Sequence, residues 1–234
     1  MQLACNNLSF QYPDSGARVL DRLSFSLQGP GIHAVFGPSG IGKTSLARII
    51  STGITRYEGD LCLKEIKTVL YTYNMERLPT WASIQSLLKQ VTPSGREPLL
   101  EELVRVFALE ELMDARFSRL SLGQQNRANL VRYLVQDFDL LILDESLANV
   151  DERLRQIILL HIKARFPEKM FLSISHNLME VAIFCKKIVL LGAQNKGEQG
   201  RLIQGMDLQQ DHAQDISLDK KQLDAVMLEI MNAC

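Results

Sequence analysis

The chain has 234 residues, 46% hydrophobic and 23% charged, the balance of a folded globular protein and neither a disordered nor a fibrous one. Lys and Arg number 26 against 27 Asp and Glu, a formal net charge of -1, so no basic field points to nucleic acid and no polybasic patch to a membrane surface. The longest apolar stretches, such as Ile157–Leu160 and Ile188–Leu191, fall far short of the roughly 20 residues of a spanning helix.

The opening MQLACNNLSF lacks the charged-then-apolar pattern of a signal peptide. Cys5, Cys62, Cys185 and Cys234 are scattered, without a C-x-x-C or a Cys/His cluster. The expectation is reduced thiols in the cytoplasm, with neither a disulfide framework nor a zinc site.

In chain order, Leu3–Phe10 and Arg22–Leu27 mix apolar and polar positions as strands do, and Pro13-Asp14-Ser15-Gly16 separates them as a turn. Ile32–Phe36 is a short apolar strand that stops at Gly37, and Leu46, Ile49 and Ile50 behind it recur at helical spacing. Tyr57-Glu58-Gly59-Asp60 is a second turn signal, ahead of a strand over Lys67–Tyr73. Residues 84–92 and 98–113 are predicted helices, and a third runs from Ser121 to about Gln136. Strands at Leu140–Leu143, 170–174 and Ile188–Leu191 then alternate with helices over 150–165 and 177–185. This order predicts an α/β fold with a parallel core and an inserted helical block. In the tail, residues 192–217 are polar, while Leu223, Val226, Met227, Ile230 and Met231 form a helical stripe. Packing on the chain's own core is the favoured reading of that stripe, with a partner-binding helix as the alternative.

Gly37-Pro38-Ser39-Gly40-Ile41-Gly42-Lys43-Thr44 satisfies G-x-x-x-x-G-K-T/S, and Ser45 follows it. Glycines allow the backbone to close around phosphate with successive N–H groups pointing inward, and the helix that starts there adds its positive end. Lys43 is placed to reach the β- and γ-phosphates and the Thr44 hydroxyl to ligate Mg²⁺. A Gly-rich turn with a stray Lys would match the same pattern, but its position between an apolar strand and an amphipathic helix favours nucleotide. The apolar run Leu140–Leu143 ends in Asp144, which suits the Mg²⁺ shell, and the next residue, Glu145, suits polarising an attacking water.

Between these motifs lies Leu120-Ser121-Leu122-Gly123-Gln124-Gln125-Asn126-Arg127. At this point the sequence resembles the ATP-binding-cassette (ABC) ATPases, whose signature is L-S-G-G-Q-x-x-R. The resemblance spans residues 3 to about 205. Phe36–Thr44 is similar to the family's Walker A, Leu140–Glu145 to its Walker B with catalytic Glu, and Ser173–Leu178 to its switch-histidine segment, with His176 as the histidine. Asp151, six residues after Glu145, falls where the D-loop Asp does, and Tyr12 matches the aromatic that stacks on adenine.

The resemblance implies a P-loop NTPase (RecA-like) core with an N-terminal antiparallel β subdomain and an inserted α-helical subdomain. The corresponding segments are 1–75 and 137–205 for the ATP-binding core, 76–136 for the helical subdomain and 206–234 for a helical tail. It also implies that Ser121, Gly123 and Gln124 grip the γ-phosphate of ATP held by a second cassette chain. Three positions depart from the pattern. Asn74 stands where the family has its Mg²⁺-touching Q-loop Gln, Leu122 replaces the first signature Gly, and Ser146–Asp151 lacks the usual D-loop Pro and Ser. Leu78-Pro79-Thr80-Trp81 is similar to a stretch in importer ATPases of the nitrate, sulfonate and taurine group. By resemblance, then, the chain is an ATPase subunit of an importer at the cytoplasmic membrane face, partnered by permease subunits and a substrate-binding protein. Alternatives are a soluble cassette ATPase acting outside transport, a degenerate subunit that completes a partner's ATP site, and a small-molecule P-loop kinase.

Overall fold

The computed structural model describes residues 1–13, 15–74, 76, 78–79, 81–192, 200–209 and 220–233. The strands are β1 (Gln2–Phe10), β2 (Leu20–Gln28), β3 (Gly31–Phe36), β4 (Glu58–Lys64), β5 (Val69–Tyr73), β6 (Leu140–Asp144), β7 (Met170–Ile174), β8 (Lys187–Leu190) and β9 (Arg201–Gln204). The α-helices are α1 (Lys43–Ile50), α2 (Ile84–Val91), α3 (Glu97–Val106), α4 (Leu122–Leu134), α5 (Glu152–Arg165), α6 (Leu178–Phe184) and α7 (Lys220–Ala233).

Two sheets result. A six-stranded sheet has the order β5-β6-β7-β3-β8-β9, parallel except for β9, and a three-stranded antiparallel sheet has the order β2-β1-β4. The strands β6 and β7 are buried at every position, as expected of parallel strands covered on both faces. Alternation along β6 divides the core: Leu140 and Ile142 pack with the small sheet and α1, while Leu141 and Leu143 pack with the helices. Residue pairing also sets the edge at which the candidate site lies. Val35 of β3 is level with Ile174 of β7, and Ile174 is level with Asp144 of β6. The carboxyl ends of three neighbouring parallel strands therefore share one row, the place where open α/β sheets bind ligands.

The expected α/β class and helical insertion are present, with four local differences. Tyr57–Asp60 is not a turn ahead of a later strand: Glu58–Asp60 open β4, an edge strand in which only Leu61 and Leu63 face the core. Gly59 has φ +87, and a Cβ there would lie 2.4 Å from the Asn7 carbonyl oxygen, so this glycine serves close strand approach. The helix expected over 98–113 stops at Val106, because Ala108 turns the chain with φ 49 before a short 3₁₀ turn at Glu110–Leu112. A ninth strand, β9, closes the sheet after segment 193–199, which lies outside the described residues. Of the tail stripe, Leu223 and Ile230 are buried against the core as expected, whereas Met231 is 64% exposed. No described helix is long and apolar enough to cross a membrane.

His33, in the middle of β3, is fully buried, and its Nδ1 has no partner among the described residues. Burial lowers its pKa from 6.5 to about 4. The unfolded chain therefore takes up a proton below about pH 6.5 that the folded chain refuses until about pH 4. Across that window stability falls with pH, by up to about 3 kcal/mol from this group, with no contribution above it. In urea titrations, His33→Leu is expected to lose less stability between pH 6.5 and 4 than the parent chain does.

Candidate nucleotide-binding site

Sterics shape the phosphate loop first. β3 ends at Phe36, and a Cβ on Gly37 would sit 2.4 Å from the Leu191 carbonyl oxygen, so only glycine lets the loop leave the sheet there. Gly42 holds φ +111, and a Cβ on it would meet Val19 Cγ1 at 2.8 Å. The backbone thus forms a cradle that side chains would fill. Lys43 opens α1 and is buried, its Nζ donating to the carbonyls of Gly37 and Pro38, both at 2.8 Å. The first turn of α1 has neither a side-chain cap nor an acidic residue. Its leading N–H groups and positive dipole end are left for an anion.

Hard oxygen donors stand beside this loop. Asp144 is buried at the end of β6, and its Oδ2 accepts hydrogen bonds from Thr44 Oγ1 and from the Tyr71 hydroxyl, each at 2.9 Å. Burial and the neighbouring Asp144 charge push the Tyr71 phenol pKa upward, keeping it a neutral donor. A hydroxyl next to a buried carboxylate fits a hard divalent cation such as Mg²⁺. Among the described residues, no group of three or more His, Cys, Asp or Glu is placed to hold a metal ion.

Glu145 adopts a left-handed conformation, φ 53, and its N–H donates to the Ile174 carbonyl at 2.9 Å. Its Oε1 lies 2.6 Å from His176 Nε2, just beyond β7. Tyr12 meets Ser45 through its hydroxyl at 3.1 Å and stands edge-on to Phe10, ring centroids 4.7 Å apart. One cavity of about 280 Å³ joins Tyr12, the loop, Thr44, Asp144, Glu145 and His176.

The remaining expected residues lie elsewhere. Ser121 caps α4 in a reciprocal pair: its Oγ accepts from Gln124 N at 3.3 Å, and its N–H donates to Gln124 Oε1 at 2.9 Å. Leu122 is exposed beside it. A Cβ on Gly123 would lie 2.2 Å from the Asn149 carbonyl oxygen, so this glycine admits the loop after β6. Asp151 caps α5, accepting from Arg153 N at 3.0 Å and Leu154 N at 3.2 Å. Asn74 does not line the cavity: its Oδ1 accepts from Asn126 at 3.1 Å, and its N–H donates to the Asp144 carbonyl at 3.0 Å. Sequence reasoning missed Val19, which lines the cavity from the β1–β2 connection, and Tyr71, which holds Asp144. It also missed Asn126, whose only signal is a polar residue on the inward side of a helix.

A Gly-rich loop at a strand–helix junction, a buried Asp on a neighbouring strand and an adjoining Glu–His pair define a P-loop nucleotide-binding domain. The model of the ABC transporter family matches residues 20–148, and the chain belongs to that family. The molybdenum import ATP-binding protein ModC of Brucella abortus is 33% identical over 190 residues, covering 72% of this chain and 52% of that protein. The spermidine/putrescine import ATP-binding protein PotA of Lawsonia intracellularis is 29% identical over 216 residues, covering 85% of this chain and 56% of that protein. The chain spans about half the length of the curated relatives it matches. Among solved structures, an ATP-bound bacterial Atm1-family ABC exporter is similar with a TM-score of 0.74 and 22% identity, covering 96% of this chain and 42% of that one. That likeness is one of fold.

Gly123→Ala is expected to push the loop after β6 off α4 and to lower stability in urea titrations by about 1–3 kcal/mol. Gly16→Ala, with nothing within 4 Å of the added Cβ, is the control and should stay within about 0.5 kcal/mol.

Proposed function

We propose that the chain is the ATP-binding and ATP-hydrolysing subunit of an ABC importer. In this reading, two cassettes close around ATP, and closure drives a membrane permease that moves a small solute inward. The observation that carries it is the convergence of Lys43, Thr44, Asp144, Glu145 and His176 on one cavity at the carboxyl edge of the sheet.

In this reading Tyr12 stacks on adenine, and the backbone of Gly37–Ser45 with Lys43 binds the phosphates. Thr44 and Asp144 would hold Mg²⁺, which neutralises phosphate charge when bound. Glu145 takes a proton from the attacking water, whose oxygen forms the new bond to the γ-phosphorus as the bond to the ADP oxygen breaks. His176, paired with Glu145 through Nε2 before nucleotide binds, would turn that donor to the γ-phosphate once ATP is in place. Differential affinity of ATP for the closed pair is what moves the partner.

Ser121, Gly123, Gln124 and Asp151 lie apart from the chain's own phosphate loop. In the proposal they serve ATP bound to a second cassette, identical or different, which each site needs for completion. The Walker-type core comprises 1–75 and 137–205, the signature subdomain 76–136 and the tail 206–234. A groove of about 500 Å³ along α2 and α3, lined by Gln85, Lys89, Leu100, Val104 and Met113, would take the permease together with Trp81, 76% exposed. The subunit would then sit at the cytoplasmic membrane face, with a substrate-binding protein delivering the solute.

The names of the ModC and PotA relatives support import. Kinship with the nitrate, sulfonate and taurine group rests on the four residues Leu78–Trp81 alone, of which Thr80 lies outside the described residues. The named relatives import molybdenum and spermidine or putrescine, so the solute is assigned only as small. A second reading, a subunit that binds ATP and merely completes its partner's site, is favoured by one observation, the engagement of Asn74 by Asn126.

The test is Glu145→Gln protein sized by light scattering with and without MgATP. A nucleotide-dependent shift from monomer to dimer, absent in Lys43→Ala, is the expected result. Loss of turnover in Glu145→Gln should be on the order of a hundredfold or more. ATP binding by the parent chain without turnover, even with its permease, would transfer the assignment to the second reading.

A further inference from the structure

Helix α4 turns polar groups toward the sheet edge, where a helix of this class ordinarily buries apolar ones. Asn126, Asn129 and Tyr133 follow one another at spacings of three and four residues. Asn126 and Asn129 are only 6% and 5% exposed. Buried carboxamides are tolerated where their hydrogen bonds are met. Here the partners come from β5, from the segment that follows it and from the loop after β6. Asn129 Nδ2 donates to Thr72 Oγ1 at 3.2 Å and to Glu76 Oε2 at 2.9 Å, and the Tyr133 hydroxyl donates to Glu76 at 2.9 Å. Asn126 does more: its Nδ2 donates to Asn74 Oδ1 at 3.1 Å and to the Ala148 carbonyl at 2.7 Å.

Both donor hydrogens of one amide are thereby used on two different loops. Asn74 is joined through its own backbone to the Asp144 carbonyl, and Ala148 N donates to the Glu145 carbonyl at 2.9 Å. Each acceptor of Asn126 is thus one hydrogen bond away from an acidic residue at the end of β6. On the other side, Asn126 is five residues along α4 from Ser121, the residue that opens the helix. Asn74 is one methylene shorter than Gln and reaches Asn126, not the phosphate-loop cavity.

We propose that Asn126 is a positioning residue for ATP turnover, tying Asn74 and the loop at 146–150 to α4 so that the Ser121 end and Glu145 move as one body. Asn74 serves this tie in place of a metal contact. The proposal rests on the reading of the chain as an ATPase subunit. A bland alternative is that Asn126 only satisfies a buried carbonyl, in which case its loss alters stability and nothing else.

The experiment uses the full chain and its Asn126→Leu, Asn74→Ala and doubly substituted forms. Three quantities are read: amide hydrogen exchange at Ala148 and Val150, MgATP turnover, and binding of a fluorescent ATP analogue in EDTA. Asn126→Leu keeps the branched outline of the side chain and removes both hydrogen bonds, so exchange at Ala148 should rise about tenfold. The turnover number should fall about tenfold while the KM for ATP and metal-free analogue binding stay within about twofold. The double variant should be no slower than Asn126→Leu alone, as expected of residues acting through one link.

Unchanged exchange and turnover in Asn126→Leu would overturn the proposal. So would an Asn74→Ala variant that raises the Mg²⁺ requirement and whose loss adds to that of Asn126→Leu, since Asn74 would then act on the metal by itself. Should Asn126→Leu fail to fold, Asn74→Ala carries the test from the less buried side, with an exchange rise of about threefold at Ala148 expected and none overturning it. A parent chain that binds the analogue but turns over no ATP defeats the activity reading, and exchange at Ala148 still decides the tie.

Discussion

Register between β6, β7 and β3 is the constraint on which the rest of the site depends. Val35, Ile174 and Asp144 occupy one row across three parallel strands. With neighbouring strands about 4.8 Å apart, that row brings the exits of all three onto one edge within about 10 Å. A slip of one residue in β6 would turn Asp144 to the other face and exchange Leu141 and Leu143 for Leu140 and Ile142 against the helices. The two core clusters, each claiming alternate residues of the same strand, oppose that slip, so hydrophobic packing holds a carboxylate in place.

The second layer of control is steric. Gly37 and Gly123 admit neighbouring carbonyl oxygens to 2.4 and 2.2 Å of where a Cβ would lie. One of these contacts shapes the phosphate loop and the other seats the loop after β6 on α4. Family glycines are commonly credited with touching phosphate, yet both are needed here by their own chain's backbone. Asp151 likewise has a full local role, capping α5, before any partner is considered.

Elements whose chemistry is local were legible in the sequence. The strand–loop–helix around Lys43, the apolar run ending at Asp144 and the start of a helix at Ser121 are each specified by neighbours in the chain, and the structure has them where the pattern puts them, with Ser121 serving as the cap. What escaped depends on distant pairing. β4 escaped because it is an edge strand with only two core-facing residues, Leu61 and Leu63, and its Gly59 imitates a turn. Tyr71 looks like any strand aromatic until β5 pairs with β6 and brings its hydroxyl to Asp144. Asn74 could be recognised as a departure from a pattern, but its partner on α4 lies 52 positions away in the chain. No periodicity encodes such a meeting.

The two hydrogen bonds from Lys43 to the Gly37 and Pro38 carbonyls have a consequence for affinity. The residue that would grip phosphate is also the brace that keeps the loop in shape beforehand. The entropy of ordering the loop is therefore lost when the chain folds, not when a ligand arrives. On the proposed function, an arriving polyphosphate would draw on an ammonium already held at the loop, exchanging neutral carbonyl acceptors for charged ones. A loop cut to shape in advance would leave association to diffusion and charge more than to rearrangement.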